Sequence, residues 1–110
     1  MIGGAGSLFI KPDLQLVDTP DFPKEWKQGA MAARELYNKI QGEKDLEWTV
    51  VCPAIQLIPG ERTENFRYGE NNVIFDNNNE SKISVQDLAV AVMNELENPK
   101  YIQKRFTVAY

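Results

Sequence analysis

The stretch that decides the reading is Met1-Ile-Gly-Gly-Ala-Gly-Ser-Leu8. Glycines at this density let a backbone turn sharply and approach other groups closely. A turn of this kind ending in serine ordinarily follows a buried strand. No strand precedes it here, so the chain reads as one that begins inside a fold. Residues 9–110 alternate helix and strand signals, the pattern of an α/β domain.

Next to the turn, Leu8 to Val17 carries short apolar pieces broken by Lys11-Pro12-Asp13, which predicts an irregular excursion with one short strand. Thr19-Pro-Asp-Phe-Pro23 predicts a helix start, since proline is accepted in a first turn and Asp21 is placed to cap free amides. Trp26, Ala30, Ala33, Tyr37 and Ile40 then share one apolar face, and Gly42 offers a left-handed stop. Glu47-Trp-Thr-Val-Val-Cys52, closed by Pro53, reads as a strand buried on both faces of a mostly parallel sheet.

Farther along, Asn65-Phe-Arg-Tyr68 and Asn72-Val-Ile-Phe75 predict two small strands joined by Gly69-Glu70-Asn71, with an exposed turn at Asn77-Asn78-Asn79. Ser84-Val85-Gln86-Asp87 has capping-box form and opens a second helix. Val85, Leu88, Ala89, Val92 and Leu96 should line its inner side, and Asn98-Pro99 should end it. Met31 and Met93 are expected to pack on helix faces, and Arg105 to Tyr110 reads as a last strand. Residues 1–110 thus predict a single domain without repeat, linker or low-complexity segment.

Composition narrows the chemistry. A chain with 43% hydrophobic and 25% charged residues is of ordinary globular type, and no apolar run is long enough to span a bilayer. The net charge of −4, with Lys and Arg scattered, argues against a nucleic-acid partner. The lone Cys52 precludes an internal disulfide, and no basic segment leads into an apolar one at the N-terminus, so a cytoplasmic protein without a membrane partner is expected. The absence of histidine removes Ser-His-Asp and Cys-His catalysis and histidine-bearing zinc sites. No acidic run has calcium-loop spacing, so no metal is expected.

The remaining candidates are few. Gly3 to Ser7 could bring backbone amides and a hydroxyl to a ligand, or simply make a tight turn; both readings fit, and the spacing is not a G-x-G-x-x-G fingerprint. Pro53-Ala54 lies just beyond the end of the buried strand, where open parallel sheets place ligands. Arg62, within Glu61-Arg-Thr-Glu64, could meet a phosphate or carboxylate or belong to a solvated loop.

Gly3-Gly-Ala-Gly-Ser-Leu8, Leu16-Val-Asp-Thr-Pro-Asp-Phe-Pro23, Trp48-Thr49 with Pro53-Ala54, Pro59-Gly-Glu-Arg-Thr63, Ile83-Ser-Val-Gln-Asp-Leu-Ala89 and Glu95-Leu-Glu-Asn-Pro99 succeed one another along essentially the whole chain. In that order they resemble the C-terminal half of atypical short-chain dehydrogenase/reductase proteins of the NADH-flavin reductase type, with similarity also to the biliverdin reductase B group of flavin reductases. The resemblance implies a Rossmann-like fold: the C-terminal portion of a doubly wound, mostly parallel sheet that lacks the N-terminal glycine-turn half. It implies NADP or NAD as cofactor and a small acceptor such as flavin as partner. It places Ser7 beside the nicotinamide and substrate as the catalytic residue, and makes Gly4, Gly6, Ser7, Pro53 and Ala54 cofactor-binding.

Two departures qualify these expectations. The turn that would hold a pyrophosphate is missing, so this chain alone should bind a dinucleotide poorly and be inactive. No Tyr-x-x-x-Lys occurs, since Tyr37, Tyr68 and Tyr101 are followed at the fourth place by Gln41, Asn72 and Arg105. Two other readings stay open: a non-catalytic α/β module that self-associates as a homodimer through an exposed sheet edge, and a dinucleotide sensor.

Overall fold

The computed structural model describes residues 1–110. Its elements in order are β1 (Phe9–Lys11), β2 (Leu14–Gln15), α1 (Lys24–Ile40), β3 (Thr49–Pro53), β4 (Gln56–Ile58), β5 (Arg67–Gly69), β6 (Lys82–Ser84), α2 (Val85–Glu97) and β7 (Lys104–Ala109), with single 3-10 turns at Ala5–Ser7 and Leu16–Asp18. No helix is long and apolar enough to cross a membrane.

The expected buried strand is β3. It runs parallel to β7, and β7 pairs on its other side with β5 in the antiparallel sense. Side chains alternate across β3 as the pleat requires. Val51 enters a core with Ile83, Leu88, Ala91, Phe106 and Val108, while Val50 and Cys52 enter a second core with Leu8, Trp48 and Val73. β3 is therefore covered on both faces. Residues 1–3 lie along the free edge of β3: Val51 N–H donates to Met1 O at 2.9 Å, and Gly3 N–H donates to Val51 O at 2.8 Å, in parallel register. That pairing delivers the glycine turn to the C-terminal end of the sheet.

Several local expectations are corrected. The excursion after Leu8 is a two-strand antiparallel hairpin, β1–β2, rather than one strand, turned by Asp13 at φ 65°. The 65–68 and 72–75 segments do not pair with each other. Arg67–Gly69 joins β7 instead, and Asn72 bridges to Phe9, because both segments find longer-range partners that the local alternation does not reveal. The parallel pair β4–β6 has no counterpart among the sequence expectations; Gln56, Leu57 and Ile58 are all exposed, as edge-strand residues can be.

The helices differ in face rather than in extent. In α1, Trp26 projects into solvent, while Ala30, Ala33, Tyr37 and Ile40 are half-buried. Asp21 makes no cap to this helix, and Gly42 is not left-handed, since no glycine has positive φ. In α2, Ser84 Oγ accepts from Asp87 N–H as the capping box requires, but the buried residues are Asp87, Leu88, Val90 and Ala91. Turning Asp87 inward at 100° per residue turns Val85, Ala89 and Leu96 outward, and all three are exposed. Met31 and Met93 are exposed as well.

Candidate functional site

Ala5–Ser7 closes one 3-10 turn against α1. A Cβ at Gly6 would lie 2.9 Å from the Ala30 Cβ and 3.4 Å from the Val17 Cβ, so glycine there lets turn and helix touch. Between the turn, the start of α1 and the end of β3 lies a crevice of about 770 Å³, within the range of small-molecule sites. Gly3, Gly4 and Gly6 line it together with Phe22, Trp26, Ala30 and Ile55. Among the lining residues Asp21 alone is charged.

Of the sequence candidates, Gly4 and Gly6 line this crevice. Ser7 is buried behind it and borders a void of about 10 Å³ that shares Gly3, Gly4, Gly6, Ala30 and Ala33 with the crevice wall. Pro53 is the last residue of β3, paired with Val108, and Ala54 is buried in the core under α2; their neighbour Ile55 reaches the crevice. Arg62 is on the surface, its Nη2 3.3 Å from Glu64 Oε1.

Ser7 is held by a residue that sequence reasoning missed. Arg105, on β7, is buried. Its Nη1 donates to Ser7 Oγ at 2.8 Å, its Nη2 to Ser7 O at 3.2 Å, and its Nε to Asn71 Oδ1 at 3.0 Å. The guanidinium also lies 4.4 Å from the centre of the Tyr37 ring. No carboxylate pairs with it, so a positive charge is kept under the turn by hydrogen bonds and an aromatic face alone. An arginine at the start of a terminal strand reads as a solvated flank, and only the fold carries it to Ser7.

Arg105 also acts on its neighbours. Burial pushes the Cys52 thiol pKa up, with Arg105 opposing more weakly, so Cys52 is a protonated thiol rather than an activated nucleophile. Burial likewise raises the Tyr37 pKa against the pull of Arg105. Asp87, in the first turn of α2, accepts from Thr63 N–H, Glu64 N–H, Thr63 Oγ1–H and Tyr110 O–H. Desolvation works to raise its pKa, yet these hydrogen bonds together bring it below the usual value. This cluster is internally satisfied and pins the 61–65 loop to α2.

No protein-family model matches the chain. It is 40% identical over 111 residues to the uncharacterized protein YwnB of Bacillus subtilis (strain 168), an alignment covering 98% of this chain and 52% of YwnB. The crystal structure of a putative epimerase from Bacteroides thetaiotaomicron superposes with TM-score 0.97 at 44% identity, covering 100% of this chain and 51% of that one. The crystal structure of a putative NADH-flavin reductase from Streptococcus pneumoniae TIGR4 superposes with TM-score 0.91 at 35% identity, covering 98% and 53% respectively. The chain therefore spans about half the length of the relatives it matches.

Proposed function

We propose that this chain is the acceptor-side portion of a Rossmann-like NAD(P)H-dependent reductase acting on flavin or a similar small acceptor. The observation that carries the reading is the crevice floored by Gly3, Gly4 and Gly6 at the end of the parallel β3–β7 pair, the place where open α/β sheets receive ligands. Its likeness to the Streptococcus protein, named for NADH-flavin reduction, supports the choice of chemistry.

The apolar side chains and bare backbone of the lining support a place for the ring end of a nicotinamide cofactor. The walls are apolar and close to backbone, and no Lys or Arg lines them. On this reading the chain by itself holds a dinucleotide weakly and is inactive alone. A reduced nicotinamide, when bound, supplies the hydride. Gly4 and Gly6 let it approach the backbone, and Pro53 and Ala54 set the position of the strand end below. Ser7 orients the nicotinamide or acceptor. With Arg105 donating to Ser7 Oγ, the Ser7 hydroxyl hydrogen is left to donate within the small void that Ser7 borders.

Saturation-transfer NMR with NADPH tests this. Transfer to the nicotinamide ring protons with the adenine protons silent is expected; transfer to adenine alone overturns the reading.

A second reading, a self-associating module, is favoured by one observation. Residues 1–3 form the outer edge of the β3 sheet, with Met1 and Ile2 exposed there, and an unpaired edge invites another strand. Sedimentation equilibrium distinguishes it: a homodimer supports this reading and a monomer at high concentration removes it.

A further inference from the structure

Helix α2 is apolar on the side that meets solvent as well as on the side that meets the core. At 100° per residue Val85, Ala89, Met93 and Leu96 fall within about a quarter of the helix circumference, and all four are exposed. Leu96, at 70%, is more exposed than any other large apolar side chain. The opposite side carries the buried Asp87 and Ala91. A surface helix ordinarily turns polar and charged residues outward, so the fold of one chain leaves this stripe unused.

The charges around the stripe are self-complementary. Arg62 and Glu97 border one hollow with Gln86, Ala89 and Met93. Arg62 belongs to the N-terminal end of α2, because Ser84 Oγ–H donates to Glu61 O and Gly60 N–H donates to Gln86 Oε1. Glu97 is the last residue of the helix. A second copy laid antiparallel sets each Arg62 beside the partner's Glu97; a parallel copy sets like charges together. The helix ends favour the same arrangement. The last turn holds Glu97 and no basic residue, the wrong sign for that end of the helix dipole, and an antiparallel partner brings its positive N-terminal end there. About an axis level with Ala91, Ala89 meets the partner's Met93, small against large, as interdigitating faces require.

We infer that the outer face of α2 is a homodimer interface in which two copies of the helix pack antiparallel about a two-fold axis, each Arg62 beside the partner's Glu97. The inference is independent of the reductase reading, and it places association on α2 rather than on the sheet edge at residues 1–3. A contact between helices about 20 Å long is smaller than the roughly 800 Å² per partner of standard interfaces, so the dimer is weak, with Kd on the order of 10 μM.

Sedimentation equilibrium from about 1 μM to 1 mM tests it, on the native chain, Leu96→Lys, Met93→Lys, Arg62→Glu, Glu97→Arg, the Arg62→Glu/Glu97→Arg double variant and Ile2→Lys, with thermal melts of each at low concentration. The native chain should dimerise reversibly. Leu96→Lys and Met93→Lys, at exposed positions, should fold as the native chain does and weaken association about tenfold or more. Each single charge reversal should weaken it several-fold and the double reversal restore it. Glu97→Arg should also melt slightly higher as a monomer while dimerising less, a split that a merely structural role would not give. A native chain still monomeric at 1 mM overturns the inference, as does a dimer untouched by Leu96→Lys and Met93→Lys or one dispersed by Ile2→Lys in their place. A double reversal no tighter than the single ones overturns the antiparallel pairing.

Discussion

Gly6 and Ser7 stand side by side and serve different ends. Gly6 is glycine because the turn and α1 touch there. Gly6→Ala places a methyl 2.9 Å from the Ala30 Cβ, an overpacking expected to destabilise the chain by about 1–3 kcal/mol, measurable by urea denaturation. Ser7 is legible as a candidate from the glycine turn, but Arg105 is not. Its partners stand 98 and 34 positions away, and nothing local marks a cation that will be buried.

Asp87 is the other residue whose role only the fold discloses. In the sequence it is the last member of a capping box; in the structure it is a buried acceptor for Thr63, Glu64 and Tyr110. Its pKa lies below the ordinary value of 3.8 in the folded chain, so the stability it contributes is present above that value and is lost as pH falls through the lower folded one. Acid unfolding followed by circular dichroism should therefore show a loss of stability below about pH 4. Asp87→Asn, which cannot carry the charge, should be less stable at neutral pH and show a shallower acid loss. An equally steep acid loss in that variant would rule out the assignment.

At the scale of elements, legibility tracks the range of the interactions. The extents of α1, β3, α2 and β7 are readable because helix periodicity, a β-branched run, a cap and a proline stop are local signals. The pairings β5–β7 and β4–β6 are not, because Arg67–Gly69 and Gln56–Ile58 carry weak patterns and acquire partners far along the chain. The inner face of α2 escapes the apolar pattern because apolar residues outnumber the places available for them, and the polar contacts of Asp87 decide the rotation. Ser84 shows how much one cap can gather: its Oγ accepts from Asp87 N–H and donates to Glu61 O. Ser84→Ala is expected to cost about 2 kcal/mol, the upper end for a lost cap, because Glu61 O also loses its donor; a chemical melt measures it.

For the whole molecule, a sheet buried on both faces carries a glycine turn to its end, and an apolar crevice lies between that turn and α1. The cluster around Asp87 is held by its own hydrogen bonds. The crevice lining carries no Lys or Arg, and the chain matches about half of each relative. We propose that a nicotinamide ring binds in this portion. Trp26 lines the crevice while Trp48 is buried in the core elsewhere, so the protein carries its own reporter. The most direct measurement is an NADPH titration of tryptophan emission in the native chain and in Trp26→Phe. Weak but saturable quenching is expected in the native chain and should disappear in the variant; no saturable quenching at millimolar NADPH, or equal quenching in both, would refute ring binding in this crevice.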